Sequence, residues 1–396
     1  MSRRWAMAGI MVVALVVLPT VLGGPIHSAS AAPSDEFRAW WNVSHGPAPP
    51  AAAGNMMAYD GAVDRFVYFG GWNGSVPLNG TWLLDPANGS WSPRHPAIAP
   101  LARADAAMVY DPVDDLVYLF GGWAQYANGT IYRLNDTWSY SVGLDAWTEL
   151  PNGEAPSPRS DSGITFDPTG GVVLLFGGFS GTVYLGGTWS YDPDRHVWSQ
   201  LTVAGPSPGN RADGRLSFDP ALGASLLFAG NDFSGPNLTF HHLNDTWRFN
   251  YTDRTWSRVA TASSPPARDY AIQGVDPRSG WLIVFSGYGN RTILNDLWAF
   301  APGNATWWPI ALPSPPPPRY AGTGGFEDAG ERFVAFGGAG NTGLLNDTWT
   351  LNGTPAPTTG GTATGSLLVL VAIGPTVGAI AVVAAVGLRQ RGRRRD

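Results

Sequence analysis

The chain has 396 residues, contains neither cysteine nor lysine, and has a formal net charge of −6. The missing cysteines exclude disulfides, thiolate metal sites and cysteine nucleophiles. The acidic balance disfavours nucleic acid as a partner, because nucleic acids select basic surfaces.

The first 31 residues have the pattern of a secretory signal peptide. Arg3 and Arg4 precede an apolar run over residues 6–22, and Ala29-Ser30-Ala31 follows as a small-x-small cleavage pattern. We therefore expect residues 1–31 to be removed and the rest of the chain to be exported.

Six copies of one pattern occupy residues 32–352, and each copy is built around two tryptophans nine positions apart. The five complete pairs are Trp82 and Trp91, Trp138 and Trp147, Trp189 and Trp198, Trp247 and Trp256, and Trp298 and Trp307. Trp349 has no second tryptophan after it, whereas Trp40 stands alone near the start, 12 residues before Ala52. The same spacing separates Trp91 from Arg103. We predict that a strand at the N-terminus completes the sixth repeat.

Each repeat also contains short strands that end at small residues. Runs such as Leu116–Phe120 and Val172–Phe176 are short, β-branched or aromatic, and bounded by turn residues, as strands are. Two small residues, most often Gly-Gly, end these runs and permit positive φ and close backbone approach. Four short strands in units spaced 51 to 57 residues apart indicate propeller blades. We expect the two tryptophans of a blade to lie opposite each other on a hairpin and to fill the wedge between blades.

The Pro-x-Arg lead-in, the strand ending in Gly-Gly and the two spaced tryptophans resemble the kelch repeat, including the version in the central domain of galactose oxidase. The resemblance covers residues 35–352 in six copies. It implies an all-β, six-bladed kelch-type β-propeller, here closed by an N-terminal strand. Gly-Gly weakens to Ala229-Gly230 and Ser286-Gly287, and Ala52 replaces the first arginine. The copper-radical cofactor of galactose oxidase needs a tyrosine cross-linked to cysteine, so we expect no such cofactor in a chain without cysteine.

Asparagine stands unusually often in the acceptor pattern for N-glycosylation. Of 19 asparagines, 13 lie in Asn-x-Ser/Thr, and four of these belong to the repeat motif itself. The predicted glycosylation sites are the other nine: Asn42, Asn73, Asn88, Asn128, Asn237, Asn250, Asn290, Asn304 and Asn352. The alternative is that asparagine and threonine are simply favoured in turns.

Two sets of loops open on one face of such a propeller: those between the second and third strands of a blade, and those that join blades. The first set carries aromatic side chains, and the second ends in arginine, followed in three blades by aspartate. The predicted ligand-binding residues are Trp123, Tyr126, Phe179, Tyr184, Phe240 and His241 in the first set and Arg103, Arg159, Arg211, Asp105, Asp161 and Asp213 in the second. Aromatic faces beside Arg and Asp suit a peptide or a glycan. The alternative interpretation is that the Arg and Asp side chains are structural ties.

The C-terminal segment has the pattern of a membrane anchor. Residues 353–365 contain only Gly, Thr, Pro and Ala and are typical of a flexible stalk. Residues 366–388 are uncharged and long enough to span a bilayer. The arginine-rich residues 389–396 favour the cytoplasmic side. We therefore predict a single-pass protein of the cell membrane, with residues 32–352 outside the cell.

The sequence favours a cell-surface binding or adhesion module that holds a protein or glycan on the propeller face. His241 and His242 with Asp232 form the one candidate metal cluster, but adjacent histidines in a loop are more often polar surface, so we expect no metal. No HExxH motif occurs, and we name no catalytic residue. The alternative is a glycan-active enzyme of the lyase or epimerase type, with its site at the central mouth of the propeller.

Overall fold

The computed structural model describes residues 37–234, 239–327 and 332–353. Within these ranges the chain forms six four-stranded antiparallel sheets, two short two-stranded hairpins and one 3-10 helix, Pro302–Asn304. The first strand of each sheet contacts the first strand of the next, and the sixth contacts the first, so that the sheets close into a ring. This is the predicted all-β, six-bladed propeller.

Blades one to three follow the N-terminal strand in chain order. The strands are β1 (Phe37–Asn42); β2 (Met56–Asp60), β3 (Arg65–Phe69), β4 (Thr81–Leu84) and β5 (Trp91–Arg94) in blade one; β6 (Ala107–Asp111), β7 (Leu116–Phe120), the hairpin β8 (Trp123–Gln125) and β9 (Ile131–Arg133), β10 (Thr137–Ser141) and β11 (Ala146–Leu150) in blade two; and β12 (Gly163–Asp167), β13 (Val172–Phe176), β14 (Thr188–Asp192) and β15 (Val197–Leu201) in blade three.

Blades four to six repeat the arrangement. The strands are β16 (Arg215–Asp219), β17 (Ala224–Phe228), the hairpin β18 (Asn231–Ser234) and β19 (Thr239–His242), β20 (Thr246–Asn250) and β21 (Thr255–Val259) in blade four; β22 (Ile272–Val275), β23 (Leu282–Gly289), β24 (Thr292–Ala301) and β25 (Thr306–Ile310) in blade five; and β26 (Thr323–Phe326), β27 (Arg332–Gly340) and β28 (Gly343–Gly353) in blade six.

The N-terminal strand closes the ring. β1 pairs antiparallel with β28, and Trp40 lies opposite Leu351 while Asn42 lies opposite Trp349. Trp40 is 5% exposed and packs on Phe285 of blade five, with ring centroids 4.6 Å apart. The prediction that the first strand completes the last blade is confirmed.

The second tryptophan of a blade joins that blade to the preceding one. Trp147 is buried, and its Nε1 donates a hydrogen bond to Oγ1 of Thr81 in blade one at 3.0 Å. The same bond recurs from Trp91 to Thr348, from Trp198 to Thr137, from Trp256 to Thr188 and from Trp307 to Thr246. The prediction that tryptophans fill the wedge between blades is therefore confirmed for this position.

The predicted pairing of the two tryptophans across a hairpin is wrong by two residues. Trp147 lies opposite Tyr140, and Trp138 lies opposite Glu149. The four-residue turn between Ser141 and Ala146 sets this register. Tyr140 and Trp147 instead make the aromatic contact, with ring centroids 4.9 Å apart.

Positive φ at the small-residue pairs lets the outgoing chain approach the next blade. Gly121 has a φ of 64°, and a Cβ there would lie 2.6 Å from the carbonyl oxygen of Arg159. Ala229 and Ser286 adopt the same left-handed conformation in the two blades where Gly-Gly is weakened. The hydroxyl of Ser286 donates to the carbonyl of Leu294 at 2.6 Å, a contact that glycine cannot make.

The predictions for the two ends of the chain fall almost entirely on residues that the structure does not describe. The predicted signal peptide at 1–31, the predicted membrane span at 366–388 and the basic tail at 389–396 lie outside the described residues, as does all of the 353–365 stalk except Gly353. In the ranges that the structure does describe, no helix is long and apolar enough to cross a bilayer.

Candidate functional site

A cavity of about 560 Å³ opens where the two predicted loop sets meet, and we call it the mouth. Backbone bridges join the two sets, as between Ala104 and Trp123 and between Ser160 and Phe179. The mouth is lined by Asp105, Trp123, Arg133, Asp161, Phe179, Tyr184, Ala212, Asp213, Asn231, Phe240, Asp269, Tyr270, Tyr288, Ile293 and Tyr320. A second cavity of about 490 Å³ between the inner strands shares Asp105 and Asp161 with the mouth, so the mouth continues toward a central channel.

The floor of the mouth is a ring of six residues that we call the neck, and backbone hydrogen bonds join its members at every junction except that between Asp213 and Tyr270. It consists of one residue from each blade, all with φ between 51° and 63°: Gly54, Asp105, Asp161, Asp213, Tyr270 and Ala321. The amide of Asp161 donates to the carbonyl of Asp105, and that of Asp213 donates to Asp161, at 2.9 and 2.8 Å. Aspartate tolerates the left-handed conformation better than most residues, so the neck geometry itself favours Asp at this position.

Three neck carboxyls and a fourth, Asp269, converge on the mouth. Nε1 of Trp123 donates to Asp105 at 2.8 Å, and the Ser160 hydroxyl donates to Asp161 at 2.6 Å. The side-chain amide of Asn231 bridges the other two, donating to Asp213 at 2.9 Å and to Asp269 at 2.8 Å. Each carboxyl thus has at least one neutral donor. In the described part of the chain, one oxygen each of Asp161 and Asp269, both buried, has no hydrogen-bond partner.

Cations are scarce around these four carboxyls. Nδ1 of His242 lies 3.2 Å from Oδ2 of Asp269. Among the described residues, no arginine lies within 4.0 Å of any of the four. Arg133 and Arg215 act on them only from a greater distance. The mouth therefore gathers four carboxyls that no arginine of the described residues contacts.

Burial and mutual repulsion raise the pKa of the mouth carboxyls. Burial and the charge of Asp105 raise the pKa of Asp161 to about 7. Burial, Asp161 and Asp269 raise the pKa of Asp213 well above its ordinary value. Burial also raises the pKa of Asp105 and of Asp269. The physical cause is the cost of placing like charges together in a poorly solvated space.

Aromatic side chains form an arc along one side of the mouth. Ring centroids are 5.1 Å apart for Phe179 and Tyr184, 5.7 Å for Tyr184 and Phe233, and 5.8 Å for Phe233 and Phe240. The arc continues through His242 to Tyr288 and Tyr320. Phe233 is 52% and Phe240 44% exposed, so two rings of the arc lie largely open to solvent.

Four of the six predicted aromatic-loop residues meet at the mouth: Trp123, Phe179, Tyr184 and Phe240. Tyr126 instead stacks on Tyr132 at 4.1 Å and lines a separate groove between blades one and two. His241 bonds Asp232 at 3.1 Å, whereas its neighbour His242 contacts Asp269. Side chains alternate along a strand, so only one of two adjacent histidines faces the mouth.

The predicted arginines point into the blades. Arg103 is fully buried, and both of its terminal nitrogens donate to the carboxylate of Asp136 at 2.7 Å. Nε1 of Trp138 donates to the same carboxylate at 2.7 Å. The same triad recurs as Arg211, Asp245 and Trp247; Arg268, Asp296 and Trp298; and Arg319, Asp347 and Trp349. These arginines tie the blade entry to the third strand of the same blade.

Blade three keeps the arginine without the acid. Gly187 stands where the other triads have aspartate, and Arg159 donates to the carbonyls of Ser157 and Gly177 and to the Ser157 hydroxyl. Burial without a carboxylate lowers the pKa of Arg159 to about 10. Blade one lacks both groups, with Ala52 and Gly80 at the two positions.

Sequence reasoning missed several residues of the mouth. Asp269 follows Arg268 directly, whereas the pattern used above places aspartate two residues after arginine. Asn231 occupies the position after the small-residue pair, where blades two and three carry Trp123 and Phe179. That position pairs with the residue after the arginine in every blade, so the two motifs together could have located the mouth.

A metal site is not assembled around the mouth. Among the described residues, no three His, Asp or Glu side chains converge to hold a metal ion. His241, His242 and Asp232, the candidate cluster, divide between two sides of the β18–β19 hairpin.

The propeller has recognisable relatives. The KLHDC2/KLHL20/DRC7 Kelch-repeats domain matches residues 35–230 and 221–359. The chain is 27% identical over 255 residues to leucine-zipper-like transcriptional regulator 1 of Homo sapiens, covering 62% of this chain and 29% of that protein. It is 25% identical over 257 residues to the Drosophila melanogaster homolog, and 30% identical over 161 residues to Adagio protein 3 of Arabidopsis thaliana. These matches cover 62% and 39% of this chain and 25% and 24% of those two proteins. Kelch propellers generally bind proteins, and on fold, motif and match together this chain belongs to the kelch-repeat family.

Proposed function

We propose that this protein is a cell-surface binding module that holds a protein ligand on the face around the mouth. The observation that carries the proposal is the exposed aromatic arc from Phe179 through Phe233 and Phe240 beside a concave mouth. Exposed aromatic side chains around a cavity are typical of protein interfaces, where a few such residues carry most of the binding energy.

The arc is not needed to hold the blades together. The recurring tryptophans, such as Trp147 and Trp198, already fill the wedges between blades. Phe233 and Phe240 belong instead to the extra hairpin β18–β19, which stands outside the four-stranded sheet of blade four. An exposed apolar hairpin costs solubility unless a partner covers it.

The placement of the strand ends supports display at a surface. Phe37, the first described residue, lies opposite Gly353, the last one. Both are at the far end of β28 from the Gly340–Gly343 turn, which lies on the face of the mouth. The chain therefore leaves residue 353 on the face opposite the mouth. In this proposal the predicted span at 366–388 follows as the membrane anchor.

Glycosylation is part of the same proposal. Of the predicted acceptors, Asn42, Asn73, Asn88, Asn128, Asn290 and Asn304 are exposed, and Asn250 and Asn352 are half-buried. Asn237 lies outside the described residues. In contrast, the threonines of the repeat motif, such as Thr137 and Thr348, are buried and accept hydrogen bonds from tryptophan. That structural role explains the repeat-motif asparagines without a glycan.

A binding array tests the ligand face. The purified full-length chain is applied to cell-envelope proteins and to glycans, and each hit is measured again with Phe179→Ala and Phe240→Ala variants. We expect each true contact to lose about 1 to 3 kcal/mol of binding. Leu144→Ala is the matched control, because Leu144 is apolar, 80% exposed and in the β10–β11 turn on the opposite face. Equal losses for the arc variants and the control would refute the assignment of the face.

A protease test addresses the cell surface. Protease added to intact cells should release the propeller at the 353–365 stalk, while a tag after Asp396 stays protected. Digestion of that tag from outside would contradict the orientation. Loss of the C-terminus from the mature protein would mean that the predicted span is processed rather than retained.

A glycan-active enzyme is the second candidate, and the cluster of carboxyls in the mouth favours it. The raised pKa of Asp161, about 7, suits a general acid or base near neutral pH. However, the guanidiniums of Arg103, Arg159 and Arg211 lie inside the blades rather than in the mouth. Turnover of an array sugar that is abolished by Asp161→Asn would establish this function.

A further inference from the structure

The buried carboxyls of the mouth have no arginine in contact among the described residues, in contrast to the carboxyls of the triads. Asp136 and Asp245 each accept two hydrogen bonds from a buried arginine. Buried carboxylates in turns, such as Asp219, accept backbone amides instead, although one oxygen of Asp219 also has no partner among the described residues. Asp269 lines the mouth and is 3% exposed, yet one of its oxygens has no hydrogen-bond partner among the described residues. An unpaired buried polar group of this kind is costly unless something occupies the site.

The aromatic arc indicates which chemical group the mouth would bind. Cations are attracted to the faces of aromatic rings, and arginine is the side chain that most often uses both an aromatic face and a carboxylate. The chain already contains an example: Cζ of Arg133 lies 5.5 Å from the ring centroid of Phe179, at the edge of the mouth. The rim therefore accommodates a guanidinium.

We infer that the mouth receives a positively charged side chain, arginine or lysine, from a protein ligand. The charge would face Asp161, Asp213 and Asp269, and its alkyl stem would lie against Phe179 and Phe240. The volume of about 560 Å³ leaves room for a whole side chain and part of its backbone. A small metal ion fits less well, because no three acidic or histidine side chains of the described residues converge on one point. This inference rests on the proposed function, since it assumes that the face of the mouth binds protein.

Two peptides that differ in the charge of one side chain test this inference. One is a capped pentapeptide with arginine between two pairs of glycines, and the other replaces arginine by citrulline, which has nearly the same shape without the charge. Binding to the full-length chain is measured by isothermal titration calorimetry. We expect the arginine peptide to bind about tenfold tighter or more, the ratio that one charge-assisted contact of about 1.4 kcal/mol gives.

Two variants should move the affinity in opposite directions. Asp213→Asn removes a mouth carboxyl, and Asn tolerates the φ of 56° at this position; it should weaken the arginine peptide several-fold and leave the citrulline peptide unchanged. Arg133→Gln removes the competing cation at the rim and should strengthen the arginine peptide. Asp253→Asn is the matched control, because Asp253 is exposed in the β20–β21 turn on the opposite face. A thermal melt of each variant verifies its fold.

The outcomes separate this inference from the proposed function. If both peptides bind equally and both are lost on Phe240→Ala, the face binds protein without using the charge, and the inference is wrong. It is also wrong if neither peptide binds, or if calcium chloride alone gives heat that Asp213→Asn abolishes. In those cases the binding array still decides the proposed function. Should Asp213→Asn fail to fold, the opposite effect of Arg133→Gln remains as a test.

Discussion

Replacing Asp161 by asparagine should stabilise the protein at neutral pH. Asp161 lies in the neck with a φ of 62°, which asparagine adopts readily. The Ser160 hydroxyl, 2.6 Å from Oδ2, can donate equally well to an amide oxygen. The substitution therefore keeps the backbone and the hydrogen bond while removing an ionisable group beside Asp105 and Asp213.

The magnitude follows from the pKa of Asp161. A carboxyl whose pKa is raised on folding stabilises the fold below its unfolded pKa, and that contribution is lost as pH rises through the folded value. A rise from 3.8 to about 7 corresponds to roughly 4 kcal/mol as an upper limit. Asp105 and Asp213 also repel Asp161, and Arg133 and Arg215 attract it, so removing one charge relaxes the others. We expect a gain of about 2 to 4 kcal/mol at about pH 8, or roughly 3 to 6 °C in melting temperature for a domain of this size.

The assay is a melting-temperature series of the wild type and Asp161→Asn between about pH 4 and pH 8. The two curves should lie close together at the acid end, separate progressively as pH rises from about 4 to about 7, and stay apart above that, with the variant above. Asp253→Asn, which changes an exposed carboxyl, should follow the wild type at every pH. A variant that is less stable than the wild type at the alkaline end would show that the mouth carboxyls stabilise the neck, and the reasoning would fail.

Four further predictions concern the frame of the propeller. Asp136→Ala should cost about 3 to 5 kcal/mol in urea unfolding, because it leaves the buried guanidinium of Arg103 unpaired. The joint change Arg103→Ala with Asp136→Gly, which copies Ala52 and Gly80 of blade one, should cost less than Asp136→Ala alone. Deleting residues 32–46 removes the closing strand and should lower the melting temperature sharply; an unchanged melt would contradict closure. In the triads of blades four to six, the arginine and the tryptophan outweigh burial and lower the pKa of the carboxylate. These carboxylates should therefore lose their contribution to stability as pH falls below about 4, and the protein should become less stable in acid.

Most of the fold could be predicted from the spacing of the residues in the repeat. The lone Trp40 and the lone Trp349 were sufficient to predict closure, because no other arrangement gives each blade its second tryptophan. Spacing did not determine register, however, so the expected tryptophan pair was displaced by two residues. A hairpin register depends on the length of its turn, and the turn between Ser141 and Ala146 could have been one or two residues shorter with the same sequence pattern.

The site was less predictable, since it depends on which way side chains point. The direction of the arginines was nevertheless encoded: aspartate stands two residues before the first tryptophan in four blades with arginine, and blade one lacks both, with Ala52 and Gly80. That joint loss indicates an ion pair within the blade. By contrast, no local sequence feature distinguishes His241 from His242. The place of Asp269 in the mouth depends on a long-range contact, because the side-chain amide of Asn231 in blade four donates to both Asp213 and Asp269.

The closing strand also imposes an order of events on the nascent chain. The hydroxyl of Ser44 and the carbonyl of Thr348, which are bonded in the finished blade six, are 304 positions apart. Closing so long a loop adds little thermodynamic cost, because that cost grows only logarithmically with length, but it delays the last step of folding until β28 has been made. Until then β1 has no partner, and the ring cannot seal. A chain that lacks only its final strand would leave blade six with two strands and an open edge. Such a truncated chain cannot close the propeller and would be prone to aggregate.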